Sequence, residues 1–386
     1  MFRRELSLPE RSFFLFGPRG TGKTTWLRST LPDARWYDLL LDRELVRLTR
    51  DPGLFGREVA ALPAGSWVVV DEVQKLPALL NEVQDLLVRH PRRWRFALTG
   101  SSARKLRRGD VNLLAGRVVN RHFFPLTAAE LGDRFHVDDV LAFGGLPAVH
   151  AEPGGRLARI DVLQAYAENY LTQEIRHEAL VKSLTAFSRF LDVASVVNAQ
   201  VVNVSALSRD AGVARPTVQG YFDILVDTLV GTWLPAWRPR ARVKETGHPK
   251  FYFFDPGAVR ALGGRLHDPL GAAERGPLLE TWVLHELRAW LNRSGAGGSL
   301  AYWRTPSGSE ADFVWTRGRT AVGIEVKCAT RWRRGDGAAL AQLRAGGVVR
   351  RAFGVYLGST ALRDGDVEVL PLAAFLARLG AGEALG

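Results

Sequence analysis

The 386-residue sequence predicts an α/β protein of two to four domains, at least one of them built on a parallel sheet. Three observations carry that expectation. "SFFLFGPRGTGKTTWL" is a short apolar strand, a Gly-rich loop and the start of a helix. "SWVVVDEVQKLP" is a continuous apolar run ending in Asp71-Glu72, the pattern of a parallel strand covered on both faces. Towards the C-terminus, "SLAYWRT", "ADFVWTR" and "TAVGIEVKCA" read as three strands set between two helices.

Composition narrows the class. Hydrophobic content of 46% and charged content of 24% are ordinary for a soluble globular protein. No apolar run approaches the roughly 18 residues that span a bilayer. The run Phe13 to Phe16 is too short for a signal peptide, so a cytoplasmic location and no membrane are expected. The single Cys328 excludes internal disulfides and Cys-rich zinc sites, and is expected to be a buried small hydrophobe. A net charge of +12 and a pI near 10.3 are the footprint of a polyanion binder. A genome rich in Arg codons is the plainer alternative. Only seven of the 52 basic residues are Lys, so a position that keeps Lys asks for a chemical reason. Lys23 and Lys327 both fall in motifs.

The first stretch matches G-x-x-x-x-G-K-[ST] at Gly17, Gly22, Lys23 and Thr24. Its backbone N–H groups, from Gly17, Pro18, Arg19, Gly20, Thr21, Gly22, Lys23, Thr24 and Thr25, would curl round phosphate oxygens, Pro18 contributing shape alone. Lys23 would reach the β- and γ-phosphates of ATP, and the Thr24 hydroxyl would ligate Mg²⁺. Asp71 would hold the Mg²⁺ shell and Glu72 would polarise the attacking water. The strand "WRFALTGSS" ends in hydroxyls, so Ser101 could contact the γ-phosphate and the water; a plain Ser-rich turn is the alternative. Arg117 could stabilise transition-state charge in a neighbouring subunit, or be a surface ion-pair partner.

With "GPRGTGKTT", "VVVDE", "LTGSS", "LAGR", "PLTAAEL" and "GGLPAV" in order, the chain resembles a prokaryotic AAA+ ATPase family whose C-terminal domain is related to PD-(D/E)XK nucleases. The resemblance spans most of the chain. It implies a doubly wound parallel sheet, a helical lid and a homo-oligomeric ring, with a hexamer as one option. The expected domains are an ATPase core over 1–135, lid and linker over 136–185, a winged-helix-like module over 186–255 and a nuclease-like domain over 256–386.

In the middle segment, "NVSALSRDAGVARPTVQGYFDILVDTLV" follows the helix, Gly-bearing turn, helix plan. Arg215, Thr217 and Gln219 open the second helix, where DNA contacts are made, although such modules also pack only against protein. Next, Arg238, Arg240, Arg242 and Lys244 alternate; on an extended chain they would form a one-sided basic stripe suited to a phosphate backbone.

"GPLLETWVLHELRAWLNRS" reads as a helix with Val283, Leu284, Leu287 and Leu291 on one stripe, Glu280 beside them and Glu286 off it in solvent. The strands follow, then a helix with Gln342, and "RAFGVYLG" is expected to close the set. That order resembles the PD-(D/E)XK core, with Asp312 and Glu325 as its acids and Lys327 two residues on, sharing a strand face with Glu325. Asp312, Glu325 and Glu280 would hold Mg²⁺, and Lys327 would orient the attacking water. The alternative is a structural Glu–Lys pair with Asp312 capping a hairpin. The family often reads E-V-K-S-S here, whereas this chain has Cys328-Ala329. Arg331, Arg333 and Arg334, with Trp332 for stacking, offer a further DNA surface.

The expected activity is an ATP-dependent motor that remodels or translocates DNA, of helicase or branch-migration type, with an Mg²⁺-dependent nuclease domain, in recombination, repair or defence. One alternative keeps the motor and makes the nuclease fold an inactive grip. Another is a nucleotide-dependent or toxin-like switch acting on protein partners.

Overall fold

Phe13–Phe16 forms β1 with every side chain buried, which a strand achieves only between two packed layers. In this computed structural model residues 2–102, 114, 116–171, 175, 181–238 and 247–385 are described. The chain divides into two compact units. One is Arg3–Pro125 with Asp227–Val230; the other is Leu126–Val226 and Gly231–Gly386 with Met1–Phe2.

The first unit is built on β1, β2 (Arg35–Asp38), β3 (Trp67–Asp71), β4 (Arg95–Gly100) and β5 (Val119–His122), in the order β2-β3-β4-β1-β5. Every pairing is parallel. Alternation along β1 sends Phe14 and Phe16 into a layer with Phe55, Val59 and Val83, from the helices Gly53–Ala60 and Leu79–Arg89. Phe13 and Leu15 go to the opposite layer, against Trp26 and Leu27 of helix Lys23–Thr30. Each such side chain contributes about 1.5–3 kcal/mol. Helices on both faces make the sheet doubly wound, as the resemblance implies. Because β4 lies between β1 and β3, the carboxyl ends of these three strands stand side by side, where open α/β sheets bind ligands.

The second unit opens with the short helix Ala128–Leu131, capped by Thr127, and continues with helices Val137–Phe143, Pro147–Ala151 and Gly155–Asn169. Helix Leu184–Val196, β6 (Gln200–Val201), helix Val204–Ala211, helix Arg215–Asp227, β7 (Gly231–Leu234) and β8 (Lys250–Phe253) follow. Asn203 Oδ1 caps the second of these helices by accepting from Ser205 and Ala206 N–H, and Gly212 ends it at φ 66°. The strands pair antiparallel in the order β6-β8-β7.

A six-stranded mixed sheet completes the unit. It comprises β9 (Ser299–Arg304), β10 (Glu310–Arg317), β11 (Thr320–Lys327), β12 (Arg351–Tyr356), β13 (Leu362–Asp364) and β14 (Val367–Pro371), in the order β13-β14-β12-β11-β10-β9. Helix Ala272–Ser294 precedes it and helix Ala338–Ala345 joins β11 to β12. The three strands, helix and strand read from the sequence are present, but "RAFGVYLG" does not close the set: β13, β14 and helix Leu372–Gly380 come after it. β13 is too short to leave a period-2 signal. Among the described residues no helix is long and apolar enough to cross a membrane.

Candidate nucleotide site and carboxylate cluster

The phosphate loop leaves β1 at Gly17, where a Cβ would sit 2.3 Å from the Phe123 carbonyl oxygen, so only glycine fits. Gly20 and Gly22 take φ of 78° and 91°, the left-handed region that lets the chain curl before helix Lys23–Thr30. Arg4 braces the loop: its guanidinium donates to Thr21 O at 2.8 Å and Phe124 O at 2.6 Å and lies over the Phe123 ring. Thr21 Oγ1 donates to Pro18 O at 2.9 Å. Lys23, 6% exposed, donates to Gly17 O at 2.6 Å and Pro18 O at 3.0 Å. Arg19 is half-buried and Thr25 is exposed on the outer side of the first helical turn.

The ends of β3 and β4 meet this loop. Thr24 Oγ1 donates to Asp71 Oδ2 at 2.8 Å, and Thr99 Oγ1 donates to Asp71 Oδ1. Burial pushes the Asp71 carboxyl above its usual range, while the two hydroxyls pull it back. Glu72 adopts φ 58°, uncommon for a non-glycine residue, and its N–H donates to Thr99 Oγ1 at 2.9 Å. Ser101 Oγ donates to Glu72 Oε2 at 2.9 Å; Gln74 Nε2 donates to the same carboxylate and to Ser101 Oγ at 3.1 Å. Of these partners the Thr99 and Ser101 hydroxyls stand at the strand tip that the sequence points to, and Gln74 does not. Thr99 lies in the same "LTGSS" run; Gln74 carries no local signal. A hydroxyl and a carboxylate already in contact are a suitable donor pair for Mg²⁺, and the curled loop suits a phosphate chain. Arg117 is exposed in the turn before β5.

In the second unit a different constellation forms. β10 carries one extra residue against β9 between Ala311 and Val314, a bulge at Asp312-Phe313 that re-aims the aspartate. Asp312 Oδ2 accepts from Val326 N–H at 2.8 Å. Lys327 Nζ donates to Glu325 Oε1 at 2.5 Å. On the other side stands Lys250, 3% exposed, whose ammonium lies 2.5 Å from Glu310 Oε1, 3.4 Å from Glu280 Oε2 and 3.7 Å from Asp312 Oδ1. Tyr252 Oη donates to Glu280 Oε2 at 3.0 Å. Burial, reinforced by Asp312, pushes both Glu280 and Glu325 up to about 8. Burial raises Asp312 as well, and the neighbouring acids hold Lys250 above its usual range despite its burial.

The expected Mg²⁺ set of Glu280, Asp312 and Glu325 does not fit this arrangement. Lys250 occupies the space between Glu280 and Asp312, and among the described residues no group of three or more acids, His or Cys is placed to hold a metal. Among those residues Glu325 Oε2 is buried without a hydrogen-bond partner. Lys250, Glu310 and Tyr252 are not singled out by the sequence. The available signal is a rare lysine opening the apolar run "KFYFF".

Other expectations fare unevenly. Glu286 is not solvated: it is 7% exposed and accepts from Ala128 N–H at 2.6 Å, because helix Ala272–Ser294 is buried on more than one stripe. Cys328 is half-buried. Trp332 is not free for stacking; its indole N–H donates to Asp364 Oδ2 at 2.9 Å and its ring packs on Gly354. Arg331, Arg333 and Arg334 beside it are exposed, as are Arg215, Thr217 and Gln219 at the start of their helix, with Val218 buried between them. Arg238 is exposed; Arg240, Arg242 and Lys244 lie outside the described residues.

Residues 9–132 match the family described as AAA domain. Residues 134–269 and 275–375 match two domains of unknown function, DUF8612 and DUF4143. Uncharacterized proteins of Mycobacterium tuberculosis (Rv2008c) and Mycobacterium bovis (Mb2031c) are each 28% identical over 324 residues, covering 81% of this chain and 69% of theirs. Among solved structures, the Aeropyrum pernix ORC2 protein in ADPNP–ADP complexes overlaps at TM-score 0.38 with 13% identity, covering 66% of this chain and 86% of that one. The Aeropyrum pernix ORC1 protein in complex with DNA overlaps at TM-score 0.30 with 15% identity, covering 67% and 87%. These overlaps fall short of a shared overall fold. The AAA domain over 9–132 is therefore what the comparisons add, and it coincides with the phosphate loop and its Asp71-Glu72 partner strand.

Proposed function

We propose that this chain is an ATP-driven, DNA-associated motor whose C-terminal nuclease-like domain grips duplex instead of cutting it. The observation that carries the ATPase half is the relay from Thr24 through Asp71, Thr99 and Glu72 to Ser101 across three neighbouring strand ends. Lys23 and the loop amides would hold the phosphates, and Thr24 with Asp71 would hold Mg²⁺, which offsets phosphate charge when bound. Glu72, kept in one orientation by Ser101 and Gln74, takes the proton of the attacking water. Arg117 would serve a neighbouring subunit of a ring.

The DNA half rests on charge and exposure. The chain carries +12, and Arg215, Thr217 and Gln219 stand exposed on a helix whose Phe222 packs against Trp233 of β7 and Phe251 of β8. Arg238, Arg331, Arg333 and Arg334 would add phosphate contacts, and so would Arg240, Arg242 and Lys244.

An ATPase assay with and without single-stranded, duplex and branched DNA tests the proposal. Turnover should rise with at least one DNA form, and Lys23→Ala should lower it ~10²–10³-fold. DNA retention should fall with salt at a log–log slope of about −0.9 per neutralised phosphate. Turnover indifferent to every DNA form, together with flat salt dependence, would leave the protein-directed switch as the better reading.

A further inference from the structure

Lys250 opens β8, fixed by pairing to β6 on one side and β7 on the other, and presents its ammonium to acids from a helix and a distant strand. Three carboxylates, Glu280, Glu310 and Asp312, surround it at 2.5–3.7 Å. Burying an ammonium this deeply is tolerable only when it is paired, and removing such a partner leaves buried like charges facing one another. Two residues along the same strand face, Tyr252 donates to Glu280, so β8 supplies the helix carboxylate with both a charge and a hydrogen bond. A planar guanidinium would meet these oxygens poorly, whereas a compact ammonium reaches three of them from one centre. That is the chemical reason for a lysine in a chain that otherwise uses arginine.

We propose that Lys250 is the resident cation of this cluster and stands where a divalent ion would otherwise bind. Glu280, Glu310 and Asp312 face the Lys250 ammonium, and the fourth acid, Glu325, is paired with Lys327. Each acid of the cluster then has an ammonium of the fold beside it. This deepens the grip reading of the domain and rests on it only for the domain's character. The readout is a metal count, independent of DNA retention and of ATP turnover.

The test is titration of the nucleotide-free full chain with Mn²⁺, followed by electron paramagnetic resonance. Asp312→Asn should leave the number of bound Mn²⁺ ions unchanged from wild type. Lys250→Met should gain one ion, and adding Asp312→Asn to it should remove that ion. Loss of an ion when Asp312→Asn is made in the wild type, or no gain in folded Lys250→Met, overturns the proposal. If Lys250→Met does not fold, the wild type and Asp312→Asn decide alone: equal counts are expected and unequal counts overturn it.

Discussion

Asp71 and Asp312 are both buried aspartates on sheet strands, yet their partners are of opposite kinds. Asp71 is met by the hydroxyls of Thr24 and Thr99, neutral groups that lend hydrogen bonds and no charge. Asp312 is met by the Val326 N–H and faces the Lys250 ammonium, so its charge is offset from within the fold. The difference separates an acid whose partners are neutral from one that has a cation of the fold beside it. Two carboxylate motifs that look alike on paper can therefore have different chemical prospects, and the neighbours decide which.

The largest effect that would break this comparison lies at Glu72. Glu72→Gln should retain nucleotide while turnover falls ~10²–10⁴-fold, the usual contribution of a positioned base. Binding is read by fluorescent-nucleotide titration and turnover by phosphate release; unaltered turnover would mean that the relay at the strand ends is structural, like the other cluster.

A smaller effect distinguishes the acids of the second unit. Glu280 and Glu325 are raised from 4.5 to about 8, so between those values the folded chain holds protons that the unfolded chain has released. Their contribution to stability is thus present below about pH 4.5 and lost as pH rises towards 8, by at most about 1.4 kcal/mol per pH unit for each group. Urea midpoints at pH 5 and pH 8 should differ in that direction, and Glu280→Gln should flatten the trend. A midpoint that climbs with pH would show these acids ionised and held by something other than protons.

The smallest effect belongs to Ser101. Ser101→Ala removes one of the donors that fix Glu72 and should slow turnover about tenfold, equivalent to ~1.4 kcal/mol, with little change in KM. Ser101→Thr, which keeps a hydroxyl at this position, should retain most of the rate.

The phosphate loop is legible in the sequence because its chemistry is contiguous: Gly17 to Thr24 act through their own backbone and first helical turn. Asp71-Glu72 is legible because an apolar run ends where the sheet does. Lys250 is not, since its nearest helical acid lies 30 residues away and only the fold brings them together. Glu286 escapes for another reason. A one-stripe reading of helix Ala272–Ser294 assumes one dry face, and this helix buries Leu278 through Leu287 almost without interruption. Trp332 likewise looks available because nothing in "RWRRGDG" foretells Asp364 as its partner.

The extra residue in β10 has a bearing on how kindred chains should be compared. Ala311 faces Trp303 and Val314 faces Ala301, so three steps on one strand answer two on its neighbour. Loss of one residue from this bulge would shift the register of β10 by one and rotate the aspartate away from the Val326 amide. The same Asp, Glu and Lys would still stand in order along the letters where the pleat had already turned the first of them away.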